Sequence, residues 1–227
     1  SGVLNPLSLP EEHRVVQHQN CRVVAIDRGH KRITDCSGAT RHYSRLVLAT
    51  GSRPRIPVIE GIDKQGIFTF RNLDDAQQLI ARRGRCRRAL VLGGGLLGLE
   101  AARGLQKDHT EVAVIEHANR LMAQQLDDGA AELLRRQLIS QNVEVVLNDS
   151  VKCVLGDTKV TGIRLRSGRD IGCDTLVVAA GIRPNIELAK QAGLSVGRGI
   201  RVNDQMRTSD PDIYAVGECA EHRDRIY

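Results

Sequence analysis

Residues 89–100 read ALVLGGGLLGLE, an apolar run that meets three glycines and continues into a leucine-rich stretch. Gly93, Gly95 and Gly98 fit the spacing G-x-G-x-x-G. The run before them predicts a buried strand, and the residues after them predict a helix. The spacing alone is a weak signal. Between a strand and a helix, however, it is typical of βαβ units that bind dinucleotides.

Each fixed position of this turn has its own physical reason. Gly93 permits a tight turn, Gly95 lets the backbone approach a pyrophosphate, and Gly98 lets the helix pack close to the sheet. Leu96 and Leu97 begin the predicted helix, whose free N–H groups are offered to the phosphates. The sequence therefore predicts a phosphate site that is made of backbone rather than of charged side chains.

Two acids accompany the turn. Glu116 ends the next predicted strand, at the distance where a carboxylate accepts hydrogen bonds from the adenosine ribose. A carboxylate there would repel the 2′-phosphate of NADPH, so we expect a preference for NADH. Arg120, four residues on, could swing in and offset that repulsion. Glu100 lies inside the predicted helix, and we expect it to point toward the nicotinamide end of the cleft.

Strands and helices alternate around this motif, which predicts a parallel α/β sheet with inserted antiparallel meanders. Helices are predicted over 73–81, 95–106 and 127–141, and the last of them has an expected apolar face of Ala130, Leu133, Leu134 and Leu138. Residues 72–186 form a self-contained unit in this interpretation. The flanking segments 1–71 and 187–227 then belong to a second α/β domain, into which the first is inserted.

Composition narrows the class of protein. Hydrophobic residues make up 41% of the chain and aromatic residues 2%, so the core must come from aliphatic side chains, as in buried parallel sheets. No apolar run approaches the ~20 residues of a membrane span, and no signal peptide is evident. We therefore expect a cytoplasmic protein without a membrane partner.

Cysteines and charges carry no site of their own in this interpretation. The six cysteines show no C-x-x-C spacing, so we expect reduced, mostly buried thiols and no metal site. The net charge is +6, and five arginines lie between residues 82 and 88. Such a run either binds nucleic acid or an acidic partner, or forms a solvated helix end. No aromatic residues are interleaved, so we expect no nucleic-acid partner.

Four segments together resemble the FAD-dependent pyridine nucleotide oxidoreductases. They are the turn at 91–100, LATGSRP at 48–54, AGIRPN at 180–185 and TSDPDIYAVGECA at 208–220. The resemblance implies a Rossmann-like NAD(H)-binding domain inserted into a partial FAD-binding domain. It implies flavin contacts at Thr50, Gly51, Arg53, Gly217 and Glu218, and a second glycine turn over the nucleotide at Gly181.

Within that family, the chain most resembles the large subunit of NAD(P)H-dependent nitrite reductases. The similarity lies in residues 217–222, GECAEH, together with Leu121-Met122 and Gln125-Leu126-Asp127. Glu218 stands where the family usually has Asp. The resemblance implies that hydride passes from NADH to FAD and that electrons continue to sirohaem and iron–sulfur centres outside this chain, in nitrate assimilation. Rubredoxin or ferredoxin reductases, or a non-catalytic NADH-binding module, are the alternatives.

The family's other glycine turn, which binds the FAD pyrophosphate, has no counterpart before residue 93. We therefore expect this chain to be an internal piece of a longer enzyme, with an incomplete FAD site. We expect the cofactors to do the redox chemistry, with no catalytic side chain, and His117 and His222 to face solvent. A homodimer is left open.

Overall fold

The computed structural model describes residues 15–106 and 110–226. The chain divides into two compact units, with the borders after Gly51 and after Arg183. Residues 52–183 form the inserted unit, and the segments on either side of it form the outer unit.

A five-stranded parallel sheet is the centre of the inserted unit. Its strands in chain order are β6 (Ile67–Thr69), β7 (Arg88–Leu92), β8 (Glu111–Ile115), β9 (Val143–Val146) and β13 (Thr175–Val178). Across the sheet the order is β6-β13-β7-β8-β9. The apolar run of 89–92 is fully covered in β7, because a parallel sheet is packed on both faces.

Three helices cover one face of this sheet: α1 (Leu73–Arg83), α2 (Leu96–Leu105) and α3 (Asp128–Ser140). Asn72 begins α1 with a capping box, in which its side chain accepts the Asp75 N–H and the Asp75 side chain accepts the Asn72 N–H. Asp127 caps α3 by accepting the N–H of Ala130.

The other face of the sheet packs against a three-stranded antiparallel sheet of β10 (Val151–Leu155), β11 (Gly162–Leu165) and β12 (Asp170–Gly172). The inserted unit is therefore a helix, parallel-sheet and meander sandwich. Two short paired strands, β5 (Ser52–Pro54) and β14 (Ile182–Pro184), lie where the chain enters and leaves it.

The outer unit contains a second meander, β1 (Val23–Asp27), β2 (Arg32–Asp35) and β3 (Thr40–His42). Its remaining elements are β4 (Leu46–Leu48), α4 (Glu187–Gln191), β15 (Ile200–Val202), β16 (Ile213–Ala215), β17 (Ala220–His222) and β18 (Arg225–Ile226). β4 and β16 pair in parallel although they come from opposite ends of the chain. Their core includes Leu48, Ile200, Ile213 and Cys219, all buried.

The Rossmann-like α/β fold with antiparallel meanders, expected from the sequence, is the fold observed. The border of the inserted unit differs from residues 72 and 186. β6 belongs to the central sheet, because Ile67–Thr69 pairs with β13. Such a short strand has too little pattern to be recognised in the sequence.

Three smaller expectations were wrong. Leu133 is 67% exposed, and Ala131 is buried in its place on the inner face of α3. The side chain of His222 is only 14% exposed, with its Nε2 2.7 Å from Asp204. Among the six thiols, Cys86, Cys173 and Cys219 are buried, but Cys36 is exposed. Burial raises the pKa of Cys173 to about 12.

Part of the arginine run makes side-chain contacts inside the inserted unit. Arg82 donates to the Thr175 hydroxyl at 3.0 Å and to the Asp174 carbonyl at 2.7 Å. Arg88 lies 3.3 Å from a carboxylate oxygen of Glu144. These contacts join the end of α1 to the start of β13, and the start of β7 to β9.

Candidate functional site

The candidate site lies at the carboxyl edge of the parallel sheet. From β7 the chain order runs outward through β8 and β9, whereas β13 returns on the other side of β7. Such a reversal leaves a crevice at the carboxyl ends of the two central strands, where open α/β sheets bind ligands. The segments that follow β7 and β13 are the glycine turn at 93–98 and the turn at Gly181, so the fold brings both predicted nucleotide turns to this edge.

Two of the fixed glycines are required by close packing. A Cβ on Gly93, whose φ is +113°, would stand 2.3 Å from the carbonyl oxygen of Ala179. A Cβ on Gly98 would stand 1.9 Å from the carbonyl oxygen of Gly93. Neither position can hold a side chain without moving backbone. Gly98 thus seats α2 against the strand end, as the sequence predicts.

Gly95 differs from both, because an added Cβ would have no atom within 4 Å. Its backbone is extended with φ −84°, which any residue can adopt. In the described part of the chain, no side chain caps α2 at this residue, and the first turn of α2 carries no acid. The N–H groups of Leu96 and Leu97 are therefore at an open helix start. This cradle fits a pyrophosphate, which needs close backbone and N–H donors.

Glu116 follows β8 at the same edge and is 8% exposed. Its Oε2 accepts the N–H of Gly94 at 2.6 Å, and its Oε1 accepts the N–H of Ala118 at 2.8 Å. Oε1 also lies 2.7 Å from Nδ1 of the exposed His117. Each carboxylate oxygen has two lone pairs, so Oε2 can still accept from a ribose hydroxyl. The acid is fixed in orientation and keeps acceptor capacity.

Arg120, which the sequence leaves as a potential phosphate partner, is held elsewhere. Its Nε donates to the carbonyl of Leu126 at 3.3 Å, and its Nη2 donates to the carbonyl of Ala123 at 3.2 Å. Its Nη1 lies 3.1 Å from Asp128. Glu100 is exposed on α2, and its role at the nicotinamide end stays a prediction.

In the outer unit, the predicted flavin residues follow two paired strands. Thr50 and Gly51 come after β4, while Gly217 and Glu218 come after β16. Since β4 and β16 are parallel, both segments leave the sheet at one edge, and the N–H of Val216 donates to the carbonyl of Leu48 at 3.0 Å. Gly51 has φ +63° and Gly217 φ +71°, with no atom within 4 Å of an added Cβ at either.

Gly181 and Arg53 belong to the inserted unit. Gly181 is exposed with φ +92°, and its carbonyl accepts the N–H of Arg55 at 3.0 Å. Arg53 lies in β5. The flavin role of Arg53 stays a prediction.

Two residues of the candidate sites were missed in the sequence. Asn185 makes two hydrogen bonds with Thr50, in the turn after β4. Its Nδ2 donates to the Thr50 carbonyl at 2.9 Å, and its backbone carbonyl accepts from the Thr50 hydroxyl at 2.7 Å. Gly94 uses both its N–H and its carbonyl within the inserted unit. An Asn directly after Pro184, and a middle glycine in a run of three, were the available signals.

Comparison with known proteins identifies the family. The sequence pattern described as pyridine nucleotide-disulphide oxidoreductase matches residues 7–227, nearly the whole chain. The chain belongs to this family. Its members are NAD(P)H-dependent flavoprotein oxidoreductases that bind FAD and NAD(P)H. The resemblance seen in the sequence is thereby confirmed. Nitrite reductase large subunits are also among the similar proteins, as the sequence predicts.

Two relatives are named for nitrate or nitrite reduction. The chain is 42% identical, over 99% of its length, to the assimilatory nitrate reductase electron transfer subunit of Bacillus subtilis, and spans 29% of that protein. It is 40% identical, over 96% of its length, to the nitrite reductase (NADH) large subunit of Escherichia coli, and spans 26% of it. The chain therefore covers less than a third of either relative.

A solved structure agrees with the fold. The ferredoxin reductase of the CYP199A2 system from Rhodopseudomonas palustris matches with a TM-score of 0.89 and 31% identity, over 93% of this chain and 52% of that one. Within residues 15–106 and 110–226, no group of three or more His, Cys, Asp or Glu side chains could hold a metal ion. No helix in those ranges is long and apolar enough to cross a membrane.

Proposed function

We propose that the inserted unit binds NADH and that the outer unit supplies strand-end contacts to FAD, as part of an NADH-dependent oxidoreductase. The observation that carries the proposal is the glycine turn at 93–98. Gly93 and Gly98 are closed by backbone, Gly95 is open, and Glu116 is fixed beside the turn. Phosphates need the open backbone, and a ribose needs the oriented acceptor.

The residues of this chain bind and orient rather than react. The N–H groups at the start of α2 hold the pyrophosphate, and Oε2 of Glu116 accepts from the adenosine ribose. Thr50, Gly51, Gly217 and Glu218 present backbone and one carboxylate to the flavin. When bound, NADH supplies a hydride that FAD accepts, and electrons continue to a later acceptor.

We further propose that the acceptor system reduces nitrite in nitrate assimilation, in the cytoplasm. The support is the pair of relatives named for nitrate and nitrite reduction, one of which is named for NADH. A ferredoxin-type acceptor is the second candidate, supported by the ferredoxin reductase whose structure matches this chain. Nitrite reduction by NADH, assayed with the natural polypeptide that carries this chain, separates the two. Reduction of ferredoxin instead of nitrite would overturn the first.

Nucleotide binding is tested with Gly95→Val and Gly104→Val. Both positions have no atom within 4 Å of an added Cβ, so both variants should fold, and only Gly95 lies at the proposed phosphate cradle. We expect calorimetric titration with NADH to show an affinity at least about tenfold weaker for Gly95→Val, because N–H contacts to charged phosphates are lost. Gly104→Val should bind like the parent.

Equal NADH affinities of the two folded variants would remove the turn from its role. The electron-transfer step has its own assay, in which NADH is added, in the absence of oxygen, to FAD and the natural polypeptide that carries this chain. Loss of the absorbance of oxidised flavin, faster than in a mixture without the chain, is the expected result. If that polypeptide binds NADH and FAD without this acceleration, the chain is instead a non-catalytic NADH-binding module.

A further inference from the structure

The backbone of Gly94 connects the glycine turn with the end of β8 and with the residues around Met122. Its N–H donates to Oε2 of Glu116 at 2.6 Å, and its carbonyl accepts the N–H of Met122 at 2.9 Å. A Cβ on Gly94 would stand 2.5 Å from Cδ2 of Leu121 and 3.2 Å from Cβ of Glu116. The orientation of Glu116 therefore depends on where residues 121 and 122 lie.

These two residues belong to a loop between β8 and α3, which we call the 120–127 loop. The side chain of Leu121 is fully buried. Met122 has φ +50°, a backbone conformation that is uncommon for residues with a side chain and occurs mostly in tight turns. The carbonyl of Met122 accepts the N–H groups of Gln125 and Leu126, at 2.8 Å and 2.9 Å. The loop is thus a tight turn that contacts the glycine turn through Leu121 and Met122.

The side chain of Arg120 connects the two ends of this loop. Its three guanidinium nitrogens reach acceptors spread along the loop and the start of α3: the carbonyls of Ala123 and Leu126, and the carboxylate of Asp128. The side chain of Arg120 is 33% exposed, whereas that of Asp128 is 86% exposed. Because an exposed ion pair contributes little, the two carbonyl contacts hold the loop.

We propose that Arg120 is a positioning residue for nucleotide selection. It fixes the 120–127 loop against Gly94, and Gly94 in turn orients Glu116 toward the ribose 2′ position. This inference rests on the proposed NADH site and adds to it a residue that touches no nucleotide. In this arrangement Arg120 supports the preference for NADH, although a cation near a ribose acid would otherwise be expected to favour NADPH.

The test compares Arg120→Gln with Arg136→Gln, a matched change at an exposed arginine of α3 that pairs with Glu132. Dissociation constants for NADH, NADPH and ADP-ribose are measured at one ionic strength. We expect Arg120→Gln to weaken NADH and ADP-ribose about tenfold while NADPH changes little, since the lost contact is the one to the 2′-hydroxyl. Arg136→Gln and Asp128→Asn should leave all three constants within about threefold of the parent.

A double-mutant cycle with Glu116→Ala separates positioning from a general loss of structure. If Arg120 acts through Glu116, then Arg120→Gln has little further effect on NADH once Glu116 is removed. Equal weakening of NADH and NADPH, or additive effects in the cycle, would overturn the inference. If the parent chain binds neither NADH nor ADP-ribose, the proposed site itself is wrong; if it binds both and Arg120→Gln does not differ, only the inference is.

Discussion

The glycine turn after β7 and the glycine turn after β16 both end buried parallel strands, yet they are held in different ways. At the first, backbone carbonyls lie within 2.3 Å of an added Cβ on Gly93 and on Gly98. At the second, Gly217 has φ +71° and no atom within 4 Å. Backbone packing thus closes two positions of the turn after β7, one of which also has a positive φ, whereas Gly217 in the turn after β16 requires only a positive φ.

The difference predicts which replacements each turn tolerates. A position closed by backbone rejects every side chain, because neither neighbour can move away alone. A position that only needs a positive φ accepts Asn, whose short polar side chain tolerates the left-handed region. Glycines that look equivalent in the sequence are therefore not equivalent in the two units.

The largest effect is expected for Gly98→Ala. The added methyl group would stand 1.9 Å from the Gly93 carbonyl oxygen, so α2 must move off the sheet. We expect a loss of about 3 kcal/mol or more in the free energy of unfolding, measured by urea titration. Gly104→Ala, on the exposed side of the same helix, is the control and should stabilise by up to about 1 kcal/mol. Similar stabilities of the two variants would contradict the close packing of α2.

A smaller effect is expected for Glu116→Ala, which tests whether the packed turn also selects the nucleotide. The parent should bind NADH about tenfold or more tightly than NADPH, because Glu116 accepts from the 2′-hydroxyl and repels a 2′-phosphate. The ratio of the two dissociation constants should fall toward one in the variant. A parent without preference, or a ratio that survives the substitution, would remove Glu116 from this role.

The smallest effect is expected in the difference between two replacements of Gly217. Gly217→Ala places a Cβ in the left-handed region and should lower the free energy of unfolding by about 1–2 kcal/mol. Gly217→Asn should cost less than Gly217→Ala, whereas Gly98→Asn should cost at least as much as Gly98→Ala. Urea titration of the four variants checks this order. If Asn were no better than Ala at Gly217, the contrast between the two turns would fail.

Much of this arrangement could be predicted from the sequence because it repeats short-range patterns. The glycine spacing and the strand of 89–92 both act within a few residues. The assignment of Leu133 to the core failed because four apolar residues fit more than one helix face. Burial of Ala131 and Leu138 shows which face packs on the sheet, and that choice depends on the whole layer.

Long-range contacts account for what the sequence did not reveal. The pairing of β6 with β13 and the bonds between Thr50 and Asn185 each join segments whose proximity only the fold creates. Arg120 is instructive here. Its distance in sequence from Glu116 indicated a rival phosphate ligand. Its contacts are in fact local, because its side chain donates to the carbonyls of Ala123 and Leu126 in the loop that follows it.

The pairing of β4 with β16 has a consequence for the order of events during synthesis. All strands of the inserted parallel sheet have left the ribosome once residue 178 has emerged, so that sheet can assemble early. β4 must wait until Ile213–Ala215 arrives before it gains its partner. Until then its apolar residues lack the partner strand that pairs with them in the folded protein. Variants that slow folding of the inserted unit lengthen this interval, and they should reduce the yield of intact protein even where the final stability of the outer unit is unchanged.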